Sequence, residues 1–111
     1  MDISFRTKKL KEQCNQNRKS GTKYGSQAAK ALMLRLDDLK AVEVLADMRN
    51  LPGRCHELKG DRAGYLSIDL RGPYRLLFIP QHVPLPTKDD GGLDWESVTA
   101  IEIQGVEDTH A

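Results

Sequence analysis

The stretch His56-Glu57-Leu58-Lys59-Gly60-Asp61-Arg62-Ala63-Gly64-Tyr65-Leu66-Ser67-Ile68, answered by Gly72-Pro73-Tyr74-Arg75-Leu76-Leu77-Phe78, decides how this chain folds. In Tyr65 to Leu70 the apolar Leu66, Ile68 and Leu70 alternate with Tyr65, Ser67 and Asp69, a period of two that predicts a half-buried strand covered on one side. Arg71-Gly72-Pro73 is a turn. Tyr74 to Ile79 then carries apolar residues on both faces, with Arg75 on the side of Leu77 and Ile79, which predicts a central strand. Upstream, Lys59 to Gly64 holds two glycines and reads as a polar hairpin loop.

Working outward toward the N-terminus, the period changes to that of helices. Ser26 to about Lys40 places Ala28, Ala29, Leu32, Leu36 and Leu39 in one stripe, the helical half of a core. Ala41 to Met48 adds a turn or two, stopped by Asn50-Leu51-Pro52-Gly53. Thr7 is placed to cap a shallower helix from Lys8 to about Lys19, whose apolar seam is only Leu10 and Cys14. Asp2 to Phe5 reads as a first strand. Toward the C-terminus, three prolines and a glycine pair make 80–95 a long exposed loop whose end Trp95 anchors, and Ser97 to Gln104 forms a last strand before a polar end. Helices grouped ahead of strands joined by short links predict an α+β domain, residues 1–111, with the helices packed on one face of a small, mostly antiparallel twisted sheet.

Net charge is only +1, which removes any global electrostatic argument for nucleic acid, but the charge is unevenly spread. Residues 1–35 hold nine Lys and Arg against two acids, and residues 89–111 hold seven acids and no Lys or Arg. Cys14 and Cys55, far apart and outside any C-x-x-C spacing, point to reduced thiols rather than a zinc site or disulfide framework. Residues 1–30 lack an apolar run of signal-peptide length and nothing approaches a membrane span, so a soluble, cytoplasmic protein is expected.

The chemistry on offer is that of RNA cleavage without a metal or other cofactor. One group must take the 2′-hydroxyl proton, another must protonate the leaving 5′-oxygen, and cations must hold the charge of the phosphorane. Histidine suits either proton role, and Lys or Arg the third. His56, Lys59, Arg62 and Arg75 lie at close sequence range, and His110 is available from beyond the last strand. Arg75 stands inside an apolar strand and must find an acceptor. Lys8, Lys9, Lys11 and Arg71 are further candidates for RNA phosphates.

The string L-P-G-R-C-H-E-L-K-G-D-R-A-G-Y-L-S-I followed by G-P-Y-R-L-L-F resembles the central motif of HigB-type toxins of the RelE/ParE toxin-antitoxin superfamily. The likeness covers Met1 to Phe78 in layout and resumes at Glu107-Asp108-Thr109-His110. It implies a compact RelE-like endoribonuclease that enters the ribosomal A site and cuts translated mRNA without a metal. It also implies a partner antitoxin with a helix-turn-helix, HigA-like, through which alone operator DNA would be met. By the resemblance, His56, Lys59 and Arg75 lie at the scissile phosphate, and Asp108 and His110 match the family's D-Y-H ending. Thr109 departs from the tyrosine of that ending, and the loop at 80–95 departs from the family's tight connection. Two other readings compete: a protein-binding toxin with a topoisomerase-type target, and a weak toxin acting mainly with its antitoxin at an operator.

Overall fold

A computed structural model describes residues 1–20 and 25–109, the side chains of 16–20 excepted. Five strands, β1 (Asp2–Phe5), β2 (His56–Glu57), β3 (Leu66–Asp69), β4 (Tyr74–Pro80) and β5 (Ala100–Asp108), form one open sheet in the order β1-β5-β4-β3-β2. Two helices, α1 (Lys8–Ser20) and α2 (Ser26–Ala41), pack against it, so the architecture is a small α+β fold with N-terminal helices on a mixed sheet. Three strand pairings are antiparallel; β1 runs parallel to β5. Parallel neighbours need a long connection, and the whole chain between Phe5 and Ala100 supplies it.

Both helices begin where the sequence places them. The Thr7 hydroxyl accepts from the Leu10 amide at 3.0 Å, capping α1. The stripe Ala28, Ala29, Leu32, Leu36 and Leu39 is buried along α2. The helical turns expected over Ala41 to Met48 form slightly later, as a 3-10 segment Leu45–Asn50 that sinks Leu45 and Met48. Register aligns Phe5, Ile103, Phe78 and Leu66 across four strands, and Val106, Leu76 and Ile68 across three. With Leu32, Leu36, Leu39, Leu45 and Met48 above them, these rows make the core. Each buried side chain of this size contributes about 1.5–3 kcal/mol.

The last strand is displaced from its expected span. It begins at Ala100 because the Asp94 carboxylate accepts from the Glu96 amide (3.2 Å) and the Ser97 hydroxyl (2.8 Å), holding Trp95–Ser97 in a 3-10 turn. It continues to Asp108 because β4 reaches back to Tyr74, the partner of Asp108. The loop between these strands is tied down at its end. The Trp95 indole is buried, donates to Glu57 Oε2 at 3.0 Å and lies under the Arg49 guanidinium, 4.2 Å from the ring centre. His82 Nε2 accepts from the Thr99 and Ala100 amides at 3.0 and 3.3 Å, which pins the start of the loop to the start of β5. Among the described residues no helix is long and apolar enough to cross a membrane.

Candidate functional site

The sheet face opposite the core carries the candidate groups. Strand pairing sets His56, Ser67, Leu77 and Gly105 in one row, and Asp69, Arg75 and Glu107 in the next. Alternation along each strand puts both rows on the face turned away from Leu66, Ile68, Leu76 and Phe78. Of the four residues that the sequence groups here, His56, Lys59, Arg62 and Arg75, the strand register puts His56 and Arg75 on this face, in neighbouring rows.

His56 is half-buried, and its Nδ1 lies 2.7 Å from the Arg54 carbonyl. A carbonyl only accepts, so Nδ1 carries the hydrogen and Nε2 keeps the lone pair when the ring is neutral. The turn that sets this geometry is tight. Gly53 has φ +104° and Arg54 φ +51°, the Gly53 carbonyl accepts from the Asp69 amide at 2.6 Å, and Arg54 Nε donates to Asp69 at 2.9 Å.

Two guanidinium groups converge on one carboxylate. Arg75 Nη2 donates to Glu107 Oε1 at 3.3 Å, and Arg62 Nη1 lies 2.9 Å from Glu107 Oε2, close enough for an ion pair though not aligned as a hydrogen bond. Arg62 arrives from the 3-10 turn Gly60–Arg62 between β2 and β3, so its side chain reaches across β3 and β4 to β5. The side chains of Arg75 and Glu107 are 23% and 27% exposed, against 43% for Arg62, so the cluster is set into the face rather than fully solvated. Beside it Ser67 is wholly buried, and neither its Oγ nor Arg75 Nε has a hydrogen-bond partner among the described residues. Buried polar atoms are ordinarily paired, so these two stand out on the face.

No family model matches the chain, and no curated protein matches it. Lys59 is exposed and opens the same 3-10 turn as Arg62, at the rim of the face. Asp108 pairs with Tyr74, and alternation directs it to the opposite face from Glu107 and Arg75. Thr109 follows with its amide and hydroxyl both donating to the Pro73 carbonyl, at 2.8 and 2.9 Å, which fastens the end of β5 to the turn before β4. His110 lies outside the described residues. Arg71 donates to Gln27 of α2 at 2.9 Å, on the helical side. Lys8, Lys9 and Lys11 are exposed on α1, in the helical layer, where Lys9 lines a groove of about 410 Å³ with Arg6 and Gln104.

Sequence reading missed Glu107 and Ser67. The signal for Glu107 was available: an arginine inside an apolar strand demands an acceptor, and an antiparallel neighbour must supply it. Ser67 carried no signal beyond its position on the face of Arg75. Cys55 belongs to the same edge but not to the chemistry, since burial pushes its thiol up to about 12 against a smaller downward pull from Arg49. Among the described residues no three His, Cys, Asp or Glu side chains are grouped to hold a metal ion.

Proposed function

We propose that this protein is the toxin of a toxin-antitoxin pair, a RelE-like endoribonuclease that cuts mRNA in the ribosomal A site. The observation that supports this most is the convergence of Arg62 and Arg75 on Glu107, on the sheet face to which strand alternation also assigns His56. His56 Nε2, with Nδ1–H held by a carbonyl, takes the proton of the 2′-hydroxyl as its oxygen attacks the phosphorus. Arg75 and Arg62, joined by Lys59 from the rim, hold the charge of the phosphorane. The P–O5′ bond breaks and a second acid gives the leaving oxygen its proton; the resemblance offers His110 for that step. No cofactor takes part. The resemblance adds a helix-turn-helix antitoxin as partner, operator contact through that antitoxin alone, and a cytoplasmic site of action.

The test is a purified translation reaction programmed with one defined mRNA, with cut positions mapped by primer extension. Cleavage by the wild type, lost on His56→Ala and reduced at least tenfold on Arg75→Ala, is the expected result. An uncut message under arrested translation would remove the nuclease reading.

A second reading, a toxin that acts by binding a protein target such as a topoisomerase, draws on the placement of Asp108 away from Arg75 and the engagement of Thr109 by Pro73. Growth arrest with DNA damage and intact transcripts would favour it.

A further inference from the structure

The Arg62–Glu107–Arg75 cluster is more than a pair of ion pairs, because its geometry is that of a ligand seat already filled from within. Glu107 offers one oxygen to each guanidinium, much as a phosphate would bridge two arginines. Arg75 and Glu107 are direct cross-strand partners and both are about three-quarters buried, so their positions are fixed by the sheet. Arg62 is not fixed in this way. It stands in a short 3-10 turn with φ +64° at Gly60 and φ +95° at Gly64 on either side, is the most exposed of the three, and is held by its ion pair and by the Tyr65 ring 5.9 Å from its guanidinium rather than by strand pairing. Asp69, the partner of Arg75 on its other side, is already engaged by Arg54. Glu107 thus meets Arg75 across the strand pair and Arg62 from the turn before β3, and its carboxylate neutralises both.

We infer that Glu107 is a specificity-determining residue of this face: its carboxylate is an internal competitor that a substrate phosphodiester must displace from Arg62 and Arg75. This rests on the ribonuclease reading above and adds to it a rule for what may bind. An anion gains access only if it contacts both guanidiniums better than the tethered carboxylate does. An isolated carboxylate, which brings the same chemistry without the tether, fails this condition. A phosphodiester held in register by its neighbouring phosphates meets it, and Arg75 Nε supplies a hydrogen bond that Glu107 leaves unused once the carboxylate has turned away. Releasing Glu107 also adds to the site the positive charge it had cancelled, so the arginines draw in a polyanion more strongly once it has turned away.

The experiment is fluorescence anisotropy of a labelled, 2′-O-methylated single-stranded oligoribonucleotide, which binds but cannot be cut, titrated with the wild type, Glu107→Gln and Glu107→Asp across a series of salt concentrations. Glu107→Gln keeps the side-chain size and removes the competing charge. It is expected to tighten binding about tenfold and to steepen the plot of log K against log salt by about 0.7, one further counterion released from a single strand. Glu107→Asp keeps the charge on a shorter arm and is expected to stay within about threefold of wild type with an unchanged salt slope. Adding Arg75→Ala to Glu107→Gln should abolish the gain. Equal or weaker binding by Glu107→Gln, or no binding by any form, overturns the inference; circular dichroism of each variant confirms that it is folded, and Glu107→Ala, with the same expected gain, decides the matter if Glu107→Gln is not. Transcript cleavage by the wild type is scored separately. Loss of the Glu107 effect with cleavage intact refutes the competitor alone, and absence of cleavage refutes the reading beneath it.

Discussion

Substituting Gly53 with alanine should be among the most damaging single-methyl changes in the protein. A Cβ at this position would lie 2.5 Å from Ile68 Cγ2, 3.1 Å from Arg35 Cδ and 3.3 Å from the Asp69 carbonyl, and the backbone has φ +104°. The left-handed conformation alone costs an L-residue about 1–2 kcal/mol. Ile68 is fully buried in the core, so the clash must be relieved by moving packed groups, at a further 1–3 kcal/mol. The total is about 2–5 kcal/mol, or a fall in Tm of roughly 8–25 °C for a domain of this size. Gly64 provides the control. Its φ is +95°, yet nothing lies within 4 Å of the position its Cβ would take, so Gly64→Ala should lose only the conformational part, about 1–2 kcal/mol. Urea unfolding followed by the fluorescence of Trp95, the single tryptophan and a buried one, reads both variants directly. Equal losses at Gly53 and Gly64 would refute the close approach of the Gly53 turn to Ile68, and with it the account of how the strand bearing His56 is held in register.

Two other outcomes follow from buried groups. Ser67→Ala removes a hydroxyl that is desolvated without a partner among the described residues, and should raise stability by about 1 kcal/mol in chemical denaturation while lowering transcript cleavage several-fold; a loss of stability would mean that the hydroxyl is satisfied in the folded protein. The Cys55 thiol is held up at about 12 in the fold against an ordinary 9.0, so it should resist alkylation at pH 8 until the protein unfolds. The unfolded chain loses this proton first as pH rises. The stability that this thiol contributes is therefore fully present below about pH 9 and is lost as the pH rises toward 12, a decline that Cys55→Ala should remove when the two stability curves are subtracted.

Much of the fold could be read from periodicity, and the reasons are visible at particular residues. The α2 stripe and the alternation of Leu66, Ser67, Ile68 and Asp69 are local patterns, repeated over enough residues to fix both the element and its buried side. The end of β5 was not readable in that way. Glu107 and Asp108 look like a polar tail, and become strand because Arg75 and Tyr74 lie opposite them, a fact about neighbours more than thirty residues away. The parallel join of β1 to β5 is equally non-local, since no turn links them. The same division runs through the candidate site. His56, Arg62 and Arg75 announce themselves as chemistry-bearing residues near one hairpin, whereas Glu107 gains its place only through register and the reach of Arg62 across two strands. The faces were likewise set by pairing: Asp108, next to Glu107 in the chain, is turned to the opposite side of the sheet.

The chemistry of the cut RNA ends tests the central proposal most directly. Attack by a 2′-hydroxyl with proton transfer through His56 leaves a 2′,3′-cyclic phosphate upstream and a 5′-hydroxyl downstream. Recovery of those two ends from a message cut on the ribosome, and their disappearance with His56→Ala, is the predicted result; fragments bearing a 3′-hydroxyl and a 5′-phosphate, or ends that persist in the variant, would contradict it.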